Sequence, residues 1–161
     1  MLPSIFKVPI TVTGFICYAQ GWGGLYNRAN KLAWKQIHAQ PGLGITNRFN
    51  IPDCPERVHW ENEFALEVGA PGAYDYGPER VSWLTHHITN WMGDTGRLLG
   101  HKTRIRRHNP VGDVLYIGGE ITNKFIDDQG RHCVEITQSA SQQDDELSIQ
   151  GTGIVSLPSR N

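Results

Sequence analysis

The sequence predicts an α+β fold in which an antiparallel sheet wraps around one long central helix, with an additional helical insertion after the first strand. Three observations predict it. Val81, Leu84, Ile88 and Trp91 recur at the roughly 3.6-residue spacing of a helix with one buried face. Beyond them the apolar period drops to two, which is the pattern of strands covered on one side: Leu115, Ile117, Gly119 and Ile121, then Val134 and Ile136, then Leu147, Ile149, Gly151, Gly153, Val155 and Leu157. Asp127-Asp128-Gln129-Gly130 and Gln142-Gln143-Asp144-Asp145 separate these runs as hairpin turns. A one-sided helix and a one-sided sheet both satisfy their apolar faces by packing on each other.

Taken in order, Ile5, Val8, Ile10 and Val12 predict an early strand from Ser4 to about Thr13. The apolar stretch from Val8 to Ala19 is read as strand and not as the core of a signal peptide, because Pro9, Thr11, Thr13 and Gly14 interrupt it and only Lys7 precedes it. Gly21-Trp22-Gly23-Gly24 marks a turn. From Tyr26 to His38, the spacing of Tyr26, Ala29, Ala33 and Ile37 predicts a helix. Residues Ala39 to Pro55 carry Pro41, Gly42, Gly44, Asn47, Asn50, Pro52 and Pro55, the composition of a long loop, and loops of that length often cover a functional site. A short helix is predicted from about His59 to Val68, stopped by Gly69 and Ala70-Pro71-Gly72. Pro78 suits the first turn of the long helix and Gly93 closes it, a span of about 22 Å at 1.5 Å per residue. A strand around Thr103 to Arg107 precedes the three periodic ones.

A chain of 161 residues fits one domain, here taken as 1–161. A formal net charge of -1 gives no global basic field for nucleic acid or an anionic membrane surface. No apolar run approaches the roughly 20 residues that a spanning helix needs, so a soluble protein is expected. Cys17, Cys54 and Cys133 are odd in number and lack a C-x-x-C pair, which suits a reducing cytoplasm better than a disulfide framework or a zinc ribbon.

The segment Val58-His59-Trp60-Glu61-Asn62-Glu63-Phe64-Ala65 places a histidine before five residues and an alanine. Gly77 opens the long helix, Asn109-Pro110-Val111-Gly112-Asp113 forms a compact turn motif, and Gly151-Thr152-Gly153-Ile154-Val155-Ser156-Leu157-Pro158 ends the last strand. Together these resemble, from about His59 to Pro158, the MaoC-like dehydratases and (R)-specific enoyl-CoA hydratases, whose domain is the hot-dog fold. The resemblance implies an acyl-thioester substrate, most simply acyl-CoA, with coenzyme A entering only as part of the substrate and no separate cofactor. It also implies a homodimer, or pairing with a second hot-dog subunit.

Hydrating an enoyl thioester requires a base to deprotonate water for attack at C3, an acid to protonate C2, and donors for the charge that develops on the thioester oxygen. His59 can move such a proton near neutral pH. The backbone N-H of Gly77, at the positive end of the long helix, is the expected oxyanion donor. In the family the histidine works with an aspartate five residues upstream, and this sequence has Cys54 there. Asp53, one residue away, and Asp75, beside Gly77, are the two alternatives for that role. The departure leaves a non-catalytic partner subunit or thioester-binding protein, and an acyl-CoA thioesterase, as the competing readings.

The remaining polar residues each carry two readings. Tyr74 and Tyr76 can bind substrate oxygens through their hydroxyls or pack before a buried helix. Lys102, Arg104, Arg106 and Arg107 can grip the phosphates of coenzyme A or protect a solvated edge strand. Arg80 is expected to face solvent. His86 and His87, adjacent on a helix, diverge by about 100° and imply no metal site. Cys54 reads as small-residue packing and not as a nucleophile.

Overall fold

The computed structural model describes residues 1–22 and 29–159, which form two compact units, Met1–Ile10 with Gly77–Asn161, and Thr11–Tyr76.

The first unit is a five-stranded antiparallel sheet with one long helix. Its strands are β1 (Leu2–Lys7), β4 (Arg97–Ile105), β5 (Leu115–Ile126), β6 (His132–Gln142) and β7 (Leu147–Ser156), in the order β1-β5-β6-β7-β4. The helix, α4 (Gly77–Met92), buries Leu84 and Ile88 completely, as the 3.6-residue spacing requires. Ile88 joins Leu2, Val134, Ile136 and Val155 in the core, with Trp91, Met92, Leu98, Ile121 and Leu157 packed around them. Both expected hairpins are present, and Gly130 takes φ +76° at the first of them.

Glycines within the strands set how closely the helix approaches. An added Cβ at Gly153 would stand 2.5 Å from Ile88 Cδ1, and one at Gly119 would stand 2.8 Å from Thr137 O and 3.4 Å from His87 Cε1. These residues complete the apolar alternation without filling the space that α4 occupies.

A polar network runs through the same layer. Gln138, 1% exposed, donates from Nε2 to Leu84 O at 3.1 Å and to His87 Nδ1 at 2.7 Å, and its Oε1 lies 3.2 Å from His101 Nε2. His87 Nε2 lies 2.8 Å from Pro3 O, which ties α4 to β1 as well as to β6. Arg80, expected at the surface, is 2% exposed instead, and its guanidinium donates to the carbonyls of Arg107 and Ser148. A carbonyl of the chain leaving β4 and one of β7 accept from a guanidinium that composition alone assigns to solvent.

The Asn109–Asp113 motif is a clasp. Gly112 N donates to Ile10 O at 2.8 Å, Ile10 N donates to Asp113 O at 3.0 Å, and the Asp113 carboxylate accepts from Gln142 Nε2 and Gln143 Nε2 at 2.8 and 2.9 Å. Strand β4 starts at Arg97, earlier than the expected Thr103, because Arg97 and Leu98 already pair with Ser156 and Val155 of β7, ahead of an irregular register between Leu98 and Gly100 that interrupts the alternation.

The second unit differs more from expectation. Residues expected to continue the first strand form a helix, α1 (Val12–Trp22), with Phe15 and Ala19 buried at i, i+4. Thr11 opens it: its hydroxyl accepts from Gly14 N at 3.2 Å and its carbonyl from Phe15 N at 3.2 Å. The alternating apolar residues up to Val12 hide this boundary. Helix α2 (Lys31–Ala39) is capped by Asn30, whose side chain accepts from Leu32 N and Ala33 N. Tyr26, where that helix is expected to begin, lies outside the described residues, as do Gly23 and Gly24 of the expected turn.

The expected loop from Ala39 to Pro55 holds a 3₁₀ turn at Pro41–Leu43 and a two-residue ladder between β2 (Ile45–Thr46) and β3 (Pro52–Asp53). The short helix expected from His59 is divided. A 3₁₀ helix spans Pro55–His59, the chain breaks at Trp60 and Glu61, and α3 runs from Asn62 to Glu67 before Gly69 ends it at φ +85°.

Candidate functional site

The turn that carries His59 is built by its own sequence. Pro55 occupies the first position of the 3₁₀ helix, where a missing N-H costs no bond. Asp53 fastens the entry, accepting from Cys54 N at 2.7 Å on Oδ1 and from Asn47 Nδ2 at 2.9 Å on Oδ2. Arg57, 3% exposed, bolts the turn to its surroundings. Its guanidinium reaches Cys54 O, Thr46 O and, at 3.0 Å, the Glu61 carboxylate, and its charge sits 4.6 Å over the Phe64 ring.

His59 is 9% exposed and its Nδ1 lies 2.9 Å from Tyr74 O. A carbonyl only accepts, so the contact places the proton of the neutral ring on Nδ1 and the lone pair on Nε2. Two aromatic rings meet the imidazole edge to face, Tyr74 at 4.7 Å and Tyr76 at 4.9 Å between centroids. Tyr18 of α1 stands 6.1 Å from Tyr76. This cage holds the ring in one orientation and one tautomer, which acid-base work requires.

The carboxylates separate. Both oxygens of Asp53 serve the local chain in the bonds given above. Asp75 is buried, 1% exposed, between the two tyrosines that touch His59. Glu56, which sequence reasoning passed over, is also buried, and its Oε2 has no hydrogen-bond partner among the described residues. Burial pushes the Cys54 thiol up to about 12, helped by the charges of Glu56 and Asp53 and by its hydrogen bond to the Glu56 side chain. Burial also raises the Tyr76 hydroxyl above its ordinary value, with the Glu56 charge the next contribution. The signal for Glu56 is its place three residues before His59, but only a 3₁₀ helix puts i and i+3 on one line, and the sequence reads there as the end of a loop.

Gly77 is the first residue of α4. Among the described residues, a Cβ added to it would meet Ile105 Cδ1 at 3.5 Å, an ordinary contact. Arg104 is exposed on β4 and, with Lys102, Thr137, Ser139, Gln150 and Thr152, lines a groove of about 820 Å³ on the sheet face. Arg106 lies just beyond that strand and is exposed, while Arg107 pairs with Glu146 at 3.0 Å.

The order of strands, with the first beside the fifth and the fourth at the far edge, and one helix against the sheet, can be matched to solved structures. The (R)-hydratase from A. caviae involved in PHA biosynthesis superposes with a TM-score of 0.66 over 97% of this chain and 93% of its own, at 16% identity. The MaoC-like dehydratase from Rhodospirillum rubrum gives 0.64 over 100% and 94%, at 11% identity, and the ChsH1-ChsH2 complex from Mycobacterium tuberculosis gives 0.66 over 98% and 94%, at 12%. This chain has the hot-dog fold. No family model and no curated protein matches the sequence. The hot-dog assignment therefore stands on backbone architecture, and it shares that architecture with MaoC-like dehydratases and (R)-hydratases. Among the described residues, no helix of this hot-dog chain is long and apolar enough to cross a membrane.

Proposed function

We propose that the chain is an acyl-thioester hydratase/dehydratase that interconverts a trans-2-enoyl-CoA and a 3-hydroxyacyl-CoA. The observation that carries the reading is the caged His59, whose Nδ1 contact with Tyr74 O leaves Nε2 as the basic nitrogen. In hydration, Nε2 takes a proton from water as the oxygen bonds to C3, and the double-bond electrons pass through the enolate to C2, which then receives the same proton. The Gly77 amide, at the N-terminus of α4, is the proposed donor to the thioester oxygen. Arg104 and Arg106 are proposed to meet the coenzyme A phosphates. The active protein is proposed to be a cytoplasmic homodimer.

Purified protein mixed with crotonyl-CoA should remove the enoyl-thioester absorbance, and His59→Ala should slow that removal by at least about 10²-fold. Release of free thiol without hydration would replace this reading with hydrolysis.

A second reading has a specific observation in its favour. Cys54, held protonated and buried, stands where the family's aspartate is expected. Two of the superposable structures, the ChsH1-ChsH2 complex and the HadBC (3R-hydroxyacyl-ACP dehydratase) complex, are assemblies. On this reading the chain completes a second hot-dog subunit, and it predicts hydration only after mixing the two.

A further inference from the structure

The hydratase reading leaves open which carboxylate works beside His59, and the inference drawn here rests on that reading. We propose that Glu56 is that group, its free carboxylate oxygen accepting a hydrogen bond from the water that His59 deprotonates. Asp53 and Asp75 were the positions suggested by sequence, and Glu56 is neither.

The geometry begins with the turn. Glu56 and His59 belong to the same 3₁₀ helix of 5 residues, three positions apart. At three residues per turn their side chains leave from one line, separated by about 6 Å along the axis. Two polar heads on such a line can reach a single water molecule between them. Both side chains are buried, Glu56 at 6% exposure and His59 at 9%.

The second observation is the unpartnered atom. Glu56 Oε2 is buried and accepts nothing among the described residues, although a buried carboxylate oxygen is costly to leave unbonded. Arg57, the next residue, is committed to Cys54 O, Thr46 O and Glu61 and so does not neutralise it. An oxygen in this state is open to a donor such as water or a substrate hydroxyl.

Two neighbours bear on the carboxylate. The Cys54 thiol, two residues before it and with its pKa pushed up to about 12 by burial and then by the Glu56 charge, stays protonated across the physiological range and adds no negative charge beside it. Tyr76 touches both groups' surroundings: its ring meets His59 at 4.9 Å, and its hydroxyl feels the Glu56 charge.

Atoms and electrons balance without a further reactant. Water gives one proton to His59 Nε2 while its other hydrogen stays on the water oxygen and hydrogen-bonds to Glu56 Oε2, which aims the oxygen lone pair at C3. The carbon-carbon electron pair moves toward the thioester as the new bond forms. The imidazolium, stabilised by the Glu56 charge, then returns its proton to C2. Dehydration runs the same steps backwards, with Glu56 holding the departing hydroxyl.

The test uses the full chain, crotonyl-CoA and NMR titration of the His59 ring, with thermal melts confirming that each variant folds. Glu56→Gln should lower kcat by about 10²-fold or more with KM little changed. The His59 pKa should fall by about 0.5 to 2 units when the neighbouring negative charge is removed. Glu56→Asp keeps the charge but shortens the reach, so kcat should drop while the His59 pKa stays within about 0.5 units of the parent. If Glu56→Gln does not fold, the Asp variant decides alone, and an unchanged kcat overturns the proposal. Wild-type kcat and an unmoved His59 pKa in Glu56→Gln overturn it as well. If the parent chain hydrates nothing yet the His59 pKa still falls in Glu56→Gln, the hydratase reading fails and the pairing of the two groups stands.

Discussion

Replacing Gln138 with methionine keeps the length of the side chain and removes its amide, and the structure fixes what that should do. Gln138 Nε2 donates to His87 Nδ1, which requires the His87 proton to sit on Nε2, where it meets Pro3 O. Gln138 Oε1 accepts from His101 Nε2. In the Gln138→Met variant one buried ring nitrogen, of His87, and one half-buried, of His101, lose their partners, at about 1–3 kcal/mol each. The added apolar burial of methionine offsets about 1–2 kcal/mol of this. A net loss of about 3 kcal/mol remains, which lowers Tm by about 6–12 °C in a chain of this length. Differential scanning calorimetry at pH 7.5 reads it, and a double-mutant cycle with His87→Phe should return a coupling of about 1 kcal/mol or more. A fall in Tm below about 2 °C would refute the view that this network holds α4 to the sheet.

Two further predictions concern titration and reactivity. Burial lowers the pKa of both His87 and His101 in the folded state, so each binds a proton more readily once unfolded. Their contribution to stability is therefore complete above about pH 6.5 and is lost as pH falls toward the folded values, with a slope of up to about 1.4 kcal/mol per pH unit for the buried His87. Denaturant midpoints between pH 7.5 and 5 should show the decline, and a flat profile would contradict it. Of the three cysteines, Cys17 is exposed while Cys54 and Cys133 are buried. Iodoacetamide at pH 8 should label Cys17 first, leave Cys54 unmodified in the native protein and label all three in denaturant. Native labelling of Cys54 at the rate of Cys17 would contradict the raised thiol pKa.

The long helix and the three following strands were legible because each buries one face, and a single buried face imposes a period on the sequence. Val81 to Trp91 and Leu115 to Val155 carry that period plainly. The insertion was not legible in the same way. Thr11 caps α1 directly after an alternating run that ends at Val12, so the two periods overlap and the strand pattern wins on inspection. Tertiary burial of Phe15 and Ala19 overrides the weak helix propensity of a segment rich in β-branched and aromatic residues. At the candidate site, His59 was visible through its motif. Glu56 was not, since its relation to His59 depends on a 3₁₀ geometry that no apolar repeat announces. Arg80 was misjudged because hydrogen bonds to the backbone carbonyls of Arg107 and Ser148 are not something composition can display.

The five residues from Pro55 to His59 have a consequence for how such a protein can diversify. The proposed pair, Glu56 and His59, carried on one short coil of backbone, keeps its spacing through covalent geometry, whatever the larger elements around it do. On that proposal, the neighbouring side chains, such as Tyr74, can be exchanged without re-registering the pair. The cost of that economy is that inserting or deleting one residue inside the coil would rotate one head away from the other by about 120°, a change that no distant substitution could repair.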